Sequence, residues 1–258
     1  ATISLPYGVS LTVKGDLNNS TSNNKKYDNP EIGDGATNGG RLTSYAYQYR
    51  TTTLQEIVNW SYQFNNVHNV EVMAAHESYS WERKYTAGMN TGMAVDGNLT
   101  MGNFLNNSYF TGSDDEDKTE SYLARLKYNY DDRYFLEGSF RRDGSSRFHK
   151  DNRWGLFPSV ALGWKISQEA FLRDSDILSD LKLRLSYGQT GQQDILNDYP
   201  YMTTFTVSYP EACYQFGDKW YNTYRPNGYD SDIKWETTET YNIGLDYGFL
   251  NNRIYGSV

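Results

Sequence analysis

Between residues 122 and 140 the side chains alternate without interruption. Tyr122, Ala124, Leu126, Tyr128 and Tyr130 stand on one face of an extended chain, with Ser121, Leu123, Arg125, Lys127 and Asn129 on the other. Asp131 and Asp132 then turn the chain into Tyr134, Leu136, Gly138 and Phe140, so the stretch predicts an antiparallel hairpin. A period of two excludes a helix, in which apolar side chains recur every three to four residues. It also poses a problem of burial: a dry core between two sheets would hold Arg125 and Lys127 unpaired only at a cost of several kcal/mol each.

The same period recurs along the chain. Ile3 to Val13 reads as one strand, followed by Val58 to Phe64, Val70 towards Tyr85, Leu156 to Ile166, Leu181 to Tyr187 and Tyr241 to Phe249. With the hairpin of residues 122–140 and the last stretch "IYGSV", about nine strands are expected in an all-β chain. The connections alternate in length, long at 18–40, 89–118 and 190–234 and short at 65–69, 131–133 and 249–252. In an up-and-down antiparallel sheet this puts the longest loops at one end and the tightest turns at the other, the asymmetry of outer-membrane barrels. Tyr130, Tyr134, Trp154, Trp164 and Trp235 lie near strand ends, where a barrel carries its aromatic girdles. A soluble sandwich also buries such rings, so the residues leave two architectures open. One is a transmembrane β-barrel whose wet lumen takes Arg125, Lys127, Lys182, Arg184 and Asp246; the other is a soluble β-rich carbohydrate-binding or glycan-active domain. An odd strand count, with alternation running from the first residues to the last, predicts an incomplete barrel, residues 1–258 being part of one barrel domain.

Composition narrows the partners. A net charge of −8 and a pI near 4.9 oppose a nucleic-acid partner. Cys213 is the single cysteine, so no intrachain disulfide and no cysteine-based zinc cluster can form. His68, His76 and His149 are scattered, and "SDDEDKTE" (113–120) lacks the spacing and glycine of an EF-hand, which leaves a solvated acidic loop as the expectation. No metal, cofactor or catalytic residue is therefore assigned, and Glu236 with Glu239 is no more than the common coincidence of two acids.

Two stretches remain as candidate sites. "RRDGSSRF" (141–148) has neither the spacing of a phosphate loop nor that of a serine nucleophile. Arg142, Asp143, Gly144, Ser145, Ser146 and Arg147 are expected to form a hairpin turn with Gly144 at positive φ, tied at a rim by charge-assisted hydrogen bonds that also involve Arg141. The stretch from Tyr199 to Tyr229 holds ten aromatic residues, expected to lie in a loop. Tyr201, Tyr209, Tyr214, Trp220, Tyr221 and Tyr224, together with Trp81 and Tyr85, are the candidates for stacking on a substrate or meeting a partner.

"FRRDGSSRFHKDNRWGLFPSVALGWKISQEAFL", "LKLRLSYGQTGQQDI" and "WETTETYNIGLDYGFLNNRIYGSV" together resemble the barrel of SusC/RagA-type TonB-dependent transporters of Bacteroidota. The resemblance is most specific from Tyr122 to Val258. It implies a plugged outer-membrane barrel of about 22 strands that imports oligosaccharides or peptides and is not an enzyme. It further implies a SusD-like surface lipoprotein, the TonB complex acting through a plug domain that these residues do not contain, and outer-membrane lipid as partners.

Overall fold

The computed structural model describes residues 1–173, 175, 177–195 and 199–258, with backbone alone at 207–212. Its strands are β1 (Thr2–Leu5), β2 (Val9–Asp28), β3 (Arg41–Phe64), β4 (His68–Met93), β5 (Phe104–Tyr130) and β6 (Tyr134–Ser145). They continue with β7 (Trp154–Lys165), β8 (Leu178–Gln192), β9 (Phe205–Phe216), β10 (Lys219–Pro226), β11 (Glu236–Phe249) and β12 (Ile254–Ser257). Ten of them form one antiparallel sheet in the order β1-β2-β3-β4-β5-β6-β7-β8-β11-β12, while β9 and β10 pair separately as a hairpin. This is the expected up-and-down meander, with one insertion between β8 and β11.

Three expectations about elements change. The stretch Ile3 to Val13 is two strands, reversed by a 3-10 turn at Pro6–Gly8 in which Tyr7 and Gly8 take φ of 63° and 78°. The register pairs Leu5 with Val9 and Ile3 with Leu11, so the same residues share a face on either path and period two cannot distinguish them. Second, 18–28 and most of 89–118 are strand: β3, β4 and β5 run for 24, 26 and 27 residues, where a spanning strand needs about 10. In β2 and the first half of β5 the extra length is rich in Asn, Ser, Thr and Gly on both faces, so it pairs through its backbone while showing little apolar contrast. Third, the stretch 190–234 is not wholly irregular but contains β9 and β10.

The chain divides into two units, residues 1–14, 55–78 and 119–258 in the first and 15–54 and 79–118 in the second. In the second, Leu42, Ala87 and Phe104 are buried, and Tyr27 meets Phe104 edge-on at 6.3 Å. Asn103 ties the connection after β4 by donating to the carbonyls of Val95 (2.7 Å) and Asn98 (2.8 Å). In the first unit the buried apolar side chains among the described residues are Phe148 and Phe157. So few are too small a core for a soluble domain of this length, and most large apolar side chains lie exposed instead.

Candidate functional site

In the first unit the register settles which residues share a face. Leu126 pairs with Gly138, Gly138 with Val160, Val160 with Tyr187 and Tyr187 with Tyr241. One row along, Tyr128, Leu136, Leu162, Leu185 and Ile243 align in the same way. These rows are exposed, Leu162 at 50% and Ile243 at 76%, and no second sheet covers them among the described residues. Such an unbroken apolar face across five strands is untenable in water.

Aromatic rings edge this face. At the tight-turn end Phe64 stacks on His68 (4.6 Å), whose ring lies 5.0 Å from Tyr130, and Tyr130 stacks on Tyr134 (6.2 Å). Glu169 accepts hydrogen bonds from Tyr134 Oη (2.6 Å) and Trp164 Nε1 (3.0 Å), while Arg133 lies 3.5 Å away. At the other edge Tyr122 and Trp154 lie 6.1 Å apart, with the Arg142 guanidinium 4.4 Å from the Trp154 ring centre. From Trp154 to Trp164 along β7 the rise is about 25 Å at ordinary barrel tilt, the height of a membrane apolar band. Trp235 is not part of a girdle: it packs on Phe148 and Phe157, both at 5.3 Å, and donates to the Arg153 carbonyl.

The hydrogen bonds from Tyr134 and Trp164, with Arg133 beside them, hold the Glu169 carboxyl below its ordinary pKa. A depressed carboxylate stabilises the fold above the ordinary carboxylate range, and that stabilisation is lost as pH falls through the depressed value. Glu169→Gln is therefore expected to flatten the loss of stability between about pH 5 and pH 3, read from urea midpoints. Equal slopes in the two proteins would remove Glu169 from the account.

The opposite face is charged and wet. Arg184 donates to Asp246 (2.7 Å), Lys165 lies 3.7 Å from Asp180, and Lys182 sits 4.3 Å from the Phe135 ring centre. Glu71, Lys127, Glu137, Lys182 and Arg184 contribute to an open cavity of about 670 Å³. Gly163 leaves room for this: a Cβ there would come within 3.2 Å of Phe135 Cβ and 3.3 Å of Lys182 Cε.

"RRDGSSRF" differs from its expected form. Strand β6 continues through Ser145, so the reversal falls at 146–153 and Gly144 sits inside the ladder, paired with Glu120 and Trp154. Gly144 is required for close approach, because a Cβ would meet the Trp154 ring at 2.9 Å. The charged ties form in part: Arg141 Nε donates to both oxygens of the buried Asp143 (2.8 and 2.7 Å) and Arg147 Nη1 lies 3.4 Å from Asp194 Oδ1, whereas Arg142 lies over the Trp154 ring instead. Asp143→Ala is expected to cost about 2 kcal/mol of stability, since Arg141 loses both of these bonds but is half exposed, so water can solvate its guanidinium. Unchanged resistance to thermal unfolding would refute that contribution.

The aromatic candidates fall in separate places. Trp81 and Tyr85 belong to β4 in the second unit rather than to a loop, and both are half-buried. Tyr201 meets His149 edge-on at 5.7 Å. On the β9-β10 hairpin Tyr214 and Tyr221 stack at 5.6 Å on one face, while alternation puts Trp220 and Tyr224 on the other. The Tyr209 side chain lies outside the described residues. The acidic run 113–120 lies in β5, not in a solvated loop: Arg83 donates to Asp115, and Asp117 is buried. Sequence reasoning missed Tyr45, Tyr47 and Tyr49, although their own period of two marks a strand face.

A meandering sheet with one exposed apolar face between aromatic girdles and one charged face defines the wall of a transmembrane β-barrel. The family described as TonB dependent receptor-like, beta-barrel, matches residues 2–258, and the chain belongs to that family. It is 54% identical over 138 residues to the TonB-dependent receptor SusC of Bacteroides thetaiotaomicron, covering 54% of this chain and 14% of the relative. It is 31% identical over 235 residues to the TonB-dependent receptor P39 of Formosa agariphila, covering 88% of this chain and 21% of that protein. Among solved structures, the RagAB peptide transporter superposes with a TM-score of 0.86 at 23% identity, over 99% of this chain and 28% of that one, a likeness of fold. The chain thus spans about a seventh to a fifth of the length of these two curated relatives. Family membership places it in the outer membrane of a Gram-negative bacterium, outside the enzymes, and sets aside the soluble glycan-active alternative, whose second sheet is missing among the described residues.

Proposed function

We propose that residues 1–258 are one stretch of the barrel wall of a SusC-like importer, and that the complete protein carries an oligosaccharide or peptide across the outer membrane. The supporting observation is the register of β5 to β8 and β11, which gives lipid one apolar face and gives the passage the charged one. The energy comes from TonB through a plug domain elsewhere in the protein. A SusD-like surface lipoprotein is the partner, and the exposed rings of the β9-β10 hairpin suit either that partner or the substrate: Trp220 is 67% and Tyr224 71% exposed.

Deleting the full-length gene is expected to abolish uptake of one oligosaccharide or peptide class. Trp220→Ala with Tyr224→Ala is expected to reduce that uptake several-fold at unchanged outer-membrane levels. Wild-type uptake of all tested glycans and peptides in the deletion strain would overturn the transport reading. Undiminished uptake in the double variant would remove only the hairpin from it.

A further inference from the structure

The geometry points to a stacking track for an extended, uncharged glycan on one face of the second unit, an inference that rests on the transport reading above. Tyr45, Tyr47 and Tyr49 occupy alternate positions of β3, so their rings stand on the same face. The Tyr47 and Tyr49 rings are parallel to within 7° at 6.1 Å, and the Tyr85 ring of β4 lies 4.9 Å from Tyr47. All four side chains are half-buried, so each keeps part of its ring open to a ligand. By strand geometry the row on β3 covers about 14 Å, a length suited to an oligomer rather than a single sugar.

Charge bears on the choice between the two substrate classes. Arg83 alternates with Tyr85 on the same side of β4, and it gives Asp115 Oδ2 hydrogen bonds of 2.8 and 2.6 Å, so the nearby cation and anion neutralise each other. A peptide's charged termini would find no uncompensated counter-charge in that pair. What the surface offers is a row of partly exposed aromatic rings and their phenolic hydroxyls. Its complement is a pyranose, with C–H groups on its faces and hydroxyls around its rim.

The test titrates the full-length protein, purified in detergent, with neutral linear hexasaccharides (α-glucan, β-glucan, mannan and xylan) and with mixed-sequence pentapeptides. At least one hexasaccharide is expected to bind, with affinity lowered about tenfold by Tyr47→Ala and by Tyr49→Ala, and nearly kept by Tyr47→Phe. Tyr49 serves as the second site should Tyr47→Ala fail to fold. Unchanged hexasaccharide affinity in a folded alanine variant, or a wild-type protein that binds only peptides or nothing in the panel, would overturn the track. Uptake by intact cells separates the two levels: wild-type cells that import peptide while binding no hexasaccharide sink the track alone, and wild-type cells that import neither class sink the transport reading.

Discussion

Arginine at position 160 is expected to lower the stability of the folded barrel by about 2 to 4 kcal/mol, the cost of a lipid-facing cation near the membrane midplane. Val160 is 41% exposed in the middle of β7, between Gly138 and Tyr187 on the apolar face. Its neighbour Ala161 points the other way, opposite Glu137 and beside the charged cavity. Ala161→Arg would there meet water and an opposite charge, so its cost is expected to stay under about 1 kcal/mol. Urea unfolding of the full-length protein in lipid, with outer-membrane levels in cells, measures both. Equal penalties at the two positions would mean that the faces are wrongly assigned.

Phe157→Ala is expected to cost about 3 to 5 kcal/mol, because the ring is one of the few fully packed apolar groups and its loss leaves a cavity beneath Trp235. The ring fills space that glycine leaves open on its own strand, β7, and on the neighbouring β8. A Cβ at Gly191 would lie 2.1 Å from Phe157 Cζ, and one at Gly155 would lie 2.4 Å from the same atom. Gly191→Ala alone is therefore expected to destabilise by expelling the ring, yet to add little in the Phe157→Ala background. Additive effects in that double-mutant cycle would show that glycine and phenylalanine do not share the space.

The membrane-facing half of the protein was legible because lipid and water impose opposite demands on successive residues. Leu126, Val160 and Ile243 on one side, and Arg125, Lys182 and Asp246 on the other, could be sorted by parity alone, and the pairing confirms the sorting. The second unit was legible only in part, in the approach to Tyr85 on β4. Where both faces are polar, as in the asparagine-rich and serine-rich ends of β2 and β5, a strand gives no periodic signal and reads as a loop. Turns posed the opposite difficulty: Pro6 to Gly8 preserves parity, so a hairpin looked like one strand, and Gly144 looked like a turn residue although its lack of a side chain serves the Trp154 ring.

Alternation and charge by themselves determined an all-β sheet with one apolar face, and the wording of three blocks determined its family. Tertiary structure alone decided the sites, because a site depends on which strands become neighbours. Residues far apart in the chain, such as Trp235 and Phe157 or Tyr47 and Tyr85, meet only when the backbone ladder fixes its register.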